Sequence, residues 1–226
     1  MDEVLEQLKD GVRRFRMEVY PERAEMFALA ASEPQKPHTL FIACADSRVD
    51  PNLISSSTTG DVFVTRNIGN LVPAYGEMLG GVSAVIEFAV SALGVKHVVV
   101  CGHSDCGAMK ALLAPDSTEK LPAVTNWLKN AHAALSVAES LYERDQREGS
   151  DKTMLQELTE QNVLLQLQHL KTHPSVAGAM AMGELSVSGW VYEIGSGAVR
   201  VAEDGQREFV PVEPTAPADE ESPHWV

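Results

Sequence analysis

Basic side chains are in short supply. The 226 residues carry 18 Lys and Arg against 32 Asp and Glu, a formal net charge of −14. A chain this acidic offers no broad basic face, which excludes the ordinary mode of nucleic-acid binding. Long apolar runs are missing as well: none reaches the roughly 20 residues that cross a bilayer. The opening stretch MDEVLEQLKDGVRRF lacks a basic leader followed by an apolar core, so no secretory signal is read in it. Cysteine is rare and odd in number, three in all. That excludes a disulfide framework and leaves thiols free for metal or catalysis in a reducing compartment. The expected location is therefore cytoplasmic, with no membrane partner. No repeat of fixed period runs along the chain.

What is present is enough apolar residue, 44% of the chain, for a sizeable core. Val4, Leu5, Leu8, Val12 and Phe15 recur at spacings of three and four, which predicts an N-terminal helix, and a second short helix is expected after Pro21. An alternation follows. TLFIACA (39–45), DVFVTR (61–66) and HVVVCG (97–102) read as buried strands, and GGVSAVIEFAVSALG (80–94) reads as a helix ending at a glycine. Two long helices are expected over PAVTNWLKNAHAALSVAESLYE and MLQELTEQNVLLQLQHLKTH, joined by the charged loop RDQREGSD. Pro174 opens a short helix, and LSVSGWVYEI (185–194) pairs across GSG with GAVRVAED as a hairpin. The fold class is α/β: a mainly parallel central sheet with a late antiparallel edge strand, covered by helices on both faces. The expected organisation is a helical arm over 1–34, an α/β domain over 35–210 and a flexible acidic, Pro-rich tail over 211–226. The apolar stripe of the arm needs a cover, and a partner subunit is expected to supply it.

In open α/β sheets ligands gather at the carboxyl ends of strands. Two segments with chemistry fall there. CADSRVDP places Cys44, Asp46 and Arg48 at alternate positions, which on an extended chain point the same way. CGHSDCGAMK places His103 and Cys106 three residues apart at the entrance to a helix. Cys44 alone reads as a buried structural thiol, and H-x-x-C alone is a weak signal. Together they offer one imidazole and two thiolates, a donor set that suits zinc with a fourth position left open. Asp46 can reach that fourth position, either to coordinate the ion or to accept a hydrogen bond from a bound hydroxide. Arg48 decides between the two by gripping Asp46. Cys101 points to the other side of its strand and is assigned to the core. His38, His97, His132, His169, His173 and His224 are assigned to packing or surface, and none is placed as a proton shuttle.

These residues closely resemble the β-class carbonic anhydrases, in particular the plant-type and cyanate-operon bacterial branch. The resemblance runs from Gln35 to Ile194 through CADSRVDP, GDVFVTRNIGNLVP, GGVSAVIEFAVSALGVKHVVVCGHSDCGAMKA and GWVYEI. It implies one zinc per subunit on Cys44, His103 and Cys106, with Asp46 a fourth ligand only in a closed state. It implies reversible hydration of carbon dioxide to bicarbonate and a proton, through attack by zinc-bound hydroxide oriented by the Asp46–Arg48 dyad. It further implies a substrate pocket of Gln35, Phe63, Ile68, Phe88 and Gly107, at the interface of a homodimer or a dimer-based higher oligomer. One departure from the pattern concerns a noncatalytic bicarbonate pocket built in some relatives from Trp, Arg and Tyr. Arg66 and Tyr192 match, but Phe41 stands at the tryptophan position and lacks its N–H donor. No strong site of that kind is expected here.

Three rival readings are weighed against this one. A related zinc hydrolase acting on carbon disulfide or carbonyl sulfide would share the scaffold. A structural zinc module would need a fourth strong ligand. A nucleotide-binding domain would need phosphate-loop spacing that GNLVPAYGEMLGG lacks.

Overall fold

The computed structural model describes residues 2–76 and 80–214. The chain divides into two units, Met1–Lys36 and Pro37–Val226. In the first, α1 (Asp2–Arg14) passes through a π-helical turn at Phe15–Val19 into a one-turn helix, α2 (Tyr20–Glu22), and α3 (Ala24–Ser32) follows. Pro21 sits in the first turn of α2 and has no N–H to give to the π-helical turn before it. The rings of Phe15, Tyr20 and Phe27 pack together with centroids 5.1–6.2 Å apart. The expected stripe is real and bare: Val4, Leu5, Leu8 and Val12 are all more than half exposed.

The second unit is built on a six-stranded sheet of order β2-β1-β3-β4-β5-β6. Its strands are β1 (Thr39–Cys44), β2 (Val62–Asn67), β3 (His97–His103), β4 (Ser186–Tyr192), β5 (Val199–Glu203) and β6 (Val210–Pro211). The first four are parallel, and β5 and β6 join antiparallel. The helices of this unit are α4 (Pro51–Ser55), α5 (Gly81–Glu87), α6 (Gly107–Leu113), α7 (Pro122–Leu128), α8 (His132–Arg147), α9 (Met154–Lys171) and α10 (Pro174–Ala181).

Alternation within the buried strands sorts side chains onto two faces. Leu40, Ile42, Val98, Val100 and Val187 face a core closed by Ile86 of α5, Val163, Leu167 and Leu170 of α9, and Val176 of α10. Phe41, Ala43, Val99 and Cys101 face the other way, beneath Ile54 of α4 and Val49 of the turn before it. Cys101 is thus a core thiol, as expected. α9 lies very close to the sheet: a Cβ on Gly189 would stand 2.6 Å from Val163 Cγ1, and one on Gly102 would stand 2.8 Å from Val163 Cγ2. Two glycines on the same face of neighbouring β3 and β4, two residues apart in register, are what allow that approach.

Some boundaries differ from the expectation for identifiable reasons. The long helix expected from Pro122 is broken by a 3-10 turn at Lys129–Ala131. There Gln166 Nε2 of α9 donates to Asn130 O at 3.2 Å, and Asn130 Nδ2 donates to Trp127 O at 2.8 Å, so the local carbonyls are drawn out of the helical ladder. α8 then runs on to Arg147 and absorbs half of the expected charged loop. α5 continues as a π-helical turn, Phe88–Ala92, before Gly94 ends it at φ +68°. The short α4 and β6 were not anticipated. β6 carries the sheet to Pro211, one residue into the expected tail, and residues 215–226 of that tail lie outside the described residues.

Candidate metal centre

β1 and β3 are neighbours, so the parallel register brings their carboxyl ends side by side. Cys44 ends β1, His103 ends β3, and Cys106 is the N-cap residue of α6. One ligand atom from each lies within 4.8 Å of the other two, and all three residues are buried. His103 Nδ1–H donates to Ser104 O at 2.8 Å, which leaves Nε2 as the lone-pair nitrogen. That Nε2 is buried with no hydrogen-bond partner among the described residues. A buried orphan acceptor beside two thiols is what a soft-ligand metal site requires, so the residues fit a zinc ion.

The sulfurs are electrostatically prepared. The Cys106 thiol, the His103 ring and the Gly69 and Asp46 amides draw the Cys44 pKa down to about 4, against the cost of burial. Cys106, hydrogen-bonded to Cys44 and buried, is pushed strongly upward. The pair shares one proton, which a bound dication expels. Gly69 N–H donates to Cys44 Sγ at 3.4 Å from a 3-10 turn, Ile68–Asn70, that follows β2. Gly69 takes φ +77° there, and a Cβ would meet Ala108 Cβ at 2.9 Å, so the position demands glycine.

That turn is held from several directions. Asn67 brackets Leu71 with two hydrogen bonds, 2.7 and 2.9 Å, and Trp127 Nε1 donates to Ile68 O at 2.8 Å. From α9, Asn162 Nδ2 donates to Gly69 O at 3.1 Å, Gln166 Oε1 accepts from Val72 N at 2.8 Å, and His169 Nδ1 donates to Val72 O at 2.8 Å. Spacings of four and three put these side chains on one face of the helix. Asn162 and Gln166 were not singled out in the sequence, where polar residues in a helix read as solvent-facing, and His169 was assigned only to packing or surface.

Asp46 and Arg48 meet as expected, but by another route. β1 ends at Cys44, so strand alternation does not align them; a turn does. Val49 N donates to Asp46 O, and Arg48 N donates to Asp46 Oδ1, each at 3.0 Å, an Asx-type turn. Arg48 Nε and Nη2 then take the two carboxylate oxygens at 2.9 and 2.8 Å, a bidentate fork. The fork holds the Asp46 carboxyl well below the usual carboxylate range. Asp46 Oδ2 stands 4.0 Å from His103 Nε2, beyond hydrogen-bond reach. Arg66 fixes the turn from beneath: Nε donates to Cys44 O at 2.9 Å and Nη2 to Asp46 O at 2.5 Å. Asp50 caps α4 by accepting from Asn52 N and Leu53 N, which ends the turn.

Of the expected pocket residues, Phe63 and Phe88 are neighbours, with ring centroids 6.0 Å apart. Ile68 and Phe88 are 43% and 48% exposed, unusual for core residues. Gly107 is the first residue of α6 and is exposed. Gln35 is exposed and falls in the first unit. Phe41 packs edge-on against Trp190 at 5.6 Å. Among the other histidines, His97 bonds Ser186 and Ser188, His173 donates to Pro73 O at 3.1 Å, and His132 is exposed. His224 lies outside the described residues.

Residues 39–199 match the family described as carbonic anhydrase. A carbonic anhydrase of Pseudomonas aeruginosa is 46% identical over 89% of this chain and 89% of its own. The solved structure of the β-carbonic anhydrase CcaA superposes with a TM-score of 0.86 at 38% identity, covering 94% of this chain and 93% of that one. A chain from the structures of two tetrameric β-carbonic anhydrases of the ascomycete Sordaria macrospora matches with a TM-score of 0.73 at 29% identity, over 90% of this chain and 98% of that one.

Proposed function

The chain belongs to the β class of the carbonic anhydrase family, and we propose that Cys44, His103 and Cys106 hold its zinc while Asp46 and Arg48 act on the reacting water. The protein is a zinc-dependent carbonate dehydratase, a lyase that interconverts carbon dioxide and bicarbonate. Its family and relatives favour that reaction over hydrolysis of carbon disulfide or carbonyl sulfide.

When bound, zinc supplies Lewis acidity that brings the ionisation of water toward neutral pH. The protein supplies direction. Ser104 O fixes the His103 tautomer, so that Nε2 faces the metal position. Gly69 N–H steadies Cys44 Sγ. Asp46, ionised and caught in the Arg48 fork, acts as an acceptor only. It orients the attacking oxygen toward carbon dioxide and cannot return a proton to it. Phe63, Ile68 and Phe88 suit a small apolar substrate, and the Gly107 amide suits an oxygen of the product. Hydration consumes water and releases one proton to solvent for each bicarbonate formed.

The observation that carries this reading is the bidentate grip of Arg48 on Asp46 beside a buried, unpartnered His103 Nε2. It supports the reading of an open site, one whose fourth position the carboxylate leaves free. Zinc content measured together with initial rates of carbon dioxide hydration across pH 6–9 tests it. One zinc per subunit and turnover already present at pH 7 are expected. A folded, metal-free protein with full turnover would defeat the reading, as would a crystal at pH 7 with Asp46 on the metal.

Assembly as a homodimer or a dimer-based oligomer is supported by the bare stripe of α1 and the half-exposed Phe88 and Ile68. The tetrameric Sordaria relatives point the same way. A cytoplasmic site of action is supported by three free, buried thiols. No helix among the described residues is long and apolar enough to cross a membrane. Lack of a noncatalytic bicarbonate pocket is supported by the commitment of Arg66 to backbone carbonyls and of Phe41 to Trp190.

A further inference from the structure

Arg48 spends Nε and Nη2 on Asp46, and its remaining nitrogen is committed elsewhere. Nη1 donates to Asp105 Oδ2 at 3.0 Å, and Nη2 also lies 3.4 Å from Asp105 O. The second oxygen of Asp105, Oδ1, pairs with Lys110 Nζ on α6. The guanidinium is therefore held on two edges by carboxylates from two different strand-end loops, 57 residues apart in sequence. Asp105 lies between two of the proposed zinc ligands, with φ +59°, a left-handed backbone that aspartate tolerates better than most residues. Metal ligation by His103 and Cys106 does not itself call for an acid between them.

We propose that Asp105, anchored by Lys110, is a positioning residue that sets the plane of the Arg48 guanidinium and so keeps Asp46 off the metal position. This rests on the dyad reading above. A guanidinium bonded to one carboxylate can swing with it, because both ends of that pair belong to the same short turn. A second carboxylate, fixed to the metal loop, ties the fork to the frame that holds the ligands. The Arg48 and Asp105 side chains are 44% and 52% exposed, so the effect is moderate and weakens with salt.

The test uses the cobalt-substituted protein, with azide as the probe of an exchangeable metal position and visible absorption as the readout. The Arg48 Nε–H resonance of the zinc protein is followed in parallel. Asp105→Ala is expected to weaken azide binding about fivefold, the scale of losing one partly exposed charge pair, and to broaden the Arg48 Nε–H signal. Asp105→Asn keeps an acceptor for Nη1 but not the charge, and is expected to fall between the parent and Asp105→Ala in both readouts. Arg48→Ala is expected to abolish the azide response with metal retained. If Asp105→Ala matches the parent in both readouts while Arg48→Ala does not, the positioning role is overturned and the dyad stands. If Arg48→Ala also binds azide normally, the dyad reading itself fails. Should Asp105→Ala not hold metal, Lys110→Met decides: a weaker azide response and a broadened Arg48 signal support the role, and an unchanged signal overturns it.

Discussion

Gly69→Ala is the substitution whose cost can be worked most completely from the structure. The residue sits at φ +77°, where an L side chain costs about 1–2 kcal/mol. The new methyl would lie 2.9 Å from Ala108 Cβ and 3.4 Å from Met109 Cε, on an α6 that packs through Ala108, Met109 and Leu112 into the core around Cys44 and Cys106. Relieving that overlap is an overpacking problem, worth roughly 1–3 kcal/mol. The reduced freedom of the unfolded chain returns about 0.4–1 kcal/mol. The net expectation is about 2–4 kcal/mol of destabilisation, or a melting temperature lower by roughly 5–12 °C for a domain of this size. The shift also pulls the Gly69 amide from Cys44 Sγ, so zinc affinity should fall together with stability. Denaturant unfolding at fixed protein concentration, with and without zinc, measures the first effect, and chelator competition measures the second. Gly178→Ala, in α10 with open space around the position, is the control and should stabilise by about 0.5–1 kcal/mol. A Gly69→Ala protein unfolding within about 0.5 kcal/mol of the parent, with zinc affinity unchanged, would refute the reasoning about this turn.

Other outcomes follow from the same geometry. Cys44→Ser should lose zinc and nearly all turnover while the apoprotein stays folded; metal analysis beside circular dichroism checks it, and retained stoichiometric zinc would count against the ligand set. Gln35→Ala should lower turnover modestly with zinc still bound, and loss of metal would contradict its placement as a pocket residue only. Burial lowers the His173 pKa below the ordinary value of about 6.5, against the opposing effect of its hydrogen bond to Pro73 O. The unfolded chain therefore binds a proton at a pH where the folded one does not. Stability is full above about pH 6.5 and falls as pH drops below it. His173→Gln should flatten that acid loss in a melting-temperature series from pH 7 to 5, and an unchanged slope would remove His173 as its source.

Much of the site was legible because its elements are local. Buried Val and Ile runs betray strands, strand ends collect ligands, and the residue types Cys, His and Cys name a soft cation before any coordinate is known. The family resemblance rested on the same stretches and was borne out, as was the mainly parallel sheet with its antiparallel edge. Even the meeting of Asp46 and Arg48 was foreseen, though strand alternation was the wrong cause: β1 stops at Cys44 and an Asx-type turn does the work. Local spacing fixed which two residues would meet, while the backbone that joined them depended on where pairing with β2 gave out.

The chain's own order of residues thus determined the donor set, the strand ends that carry it and the acid–guanidinium pair beside it. Tertiary structure alone decided what holds them. Gly69 reaches Cys44 across 25 positions, Arg48 reaches Asp105 across 57, and Asn162 reaches Gly69 across 93. The polar face of α9 and the broken helix at Lys129–Ala131 exist because buried loop carbonyls and amides must find partners. Such partners are chosen by proximity in the folded chain, which residue spacing cannot encode.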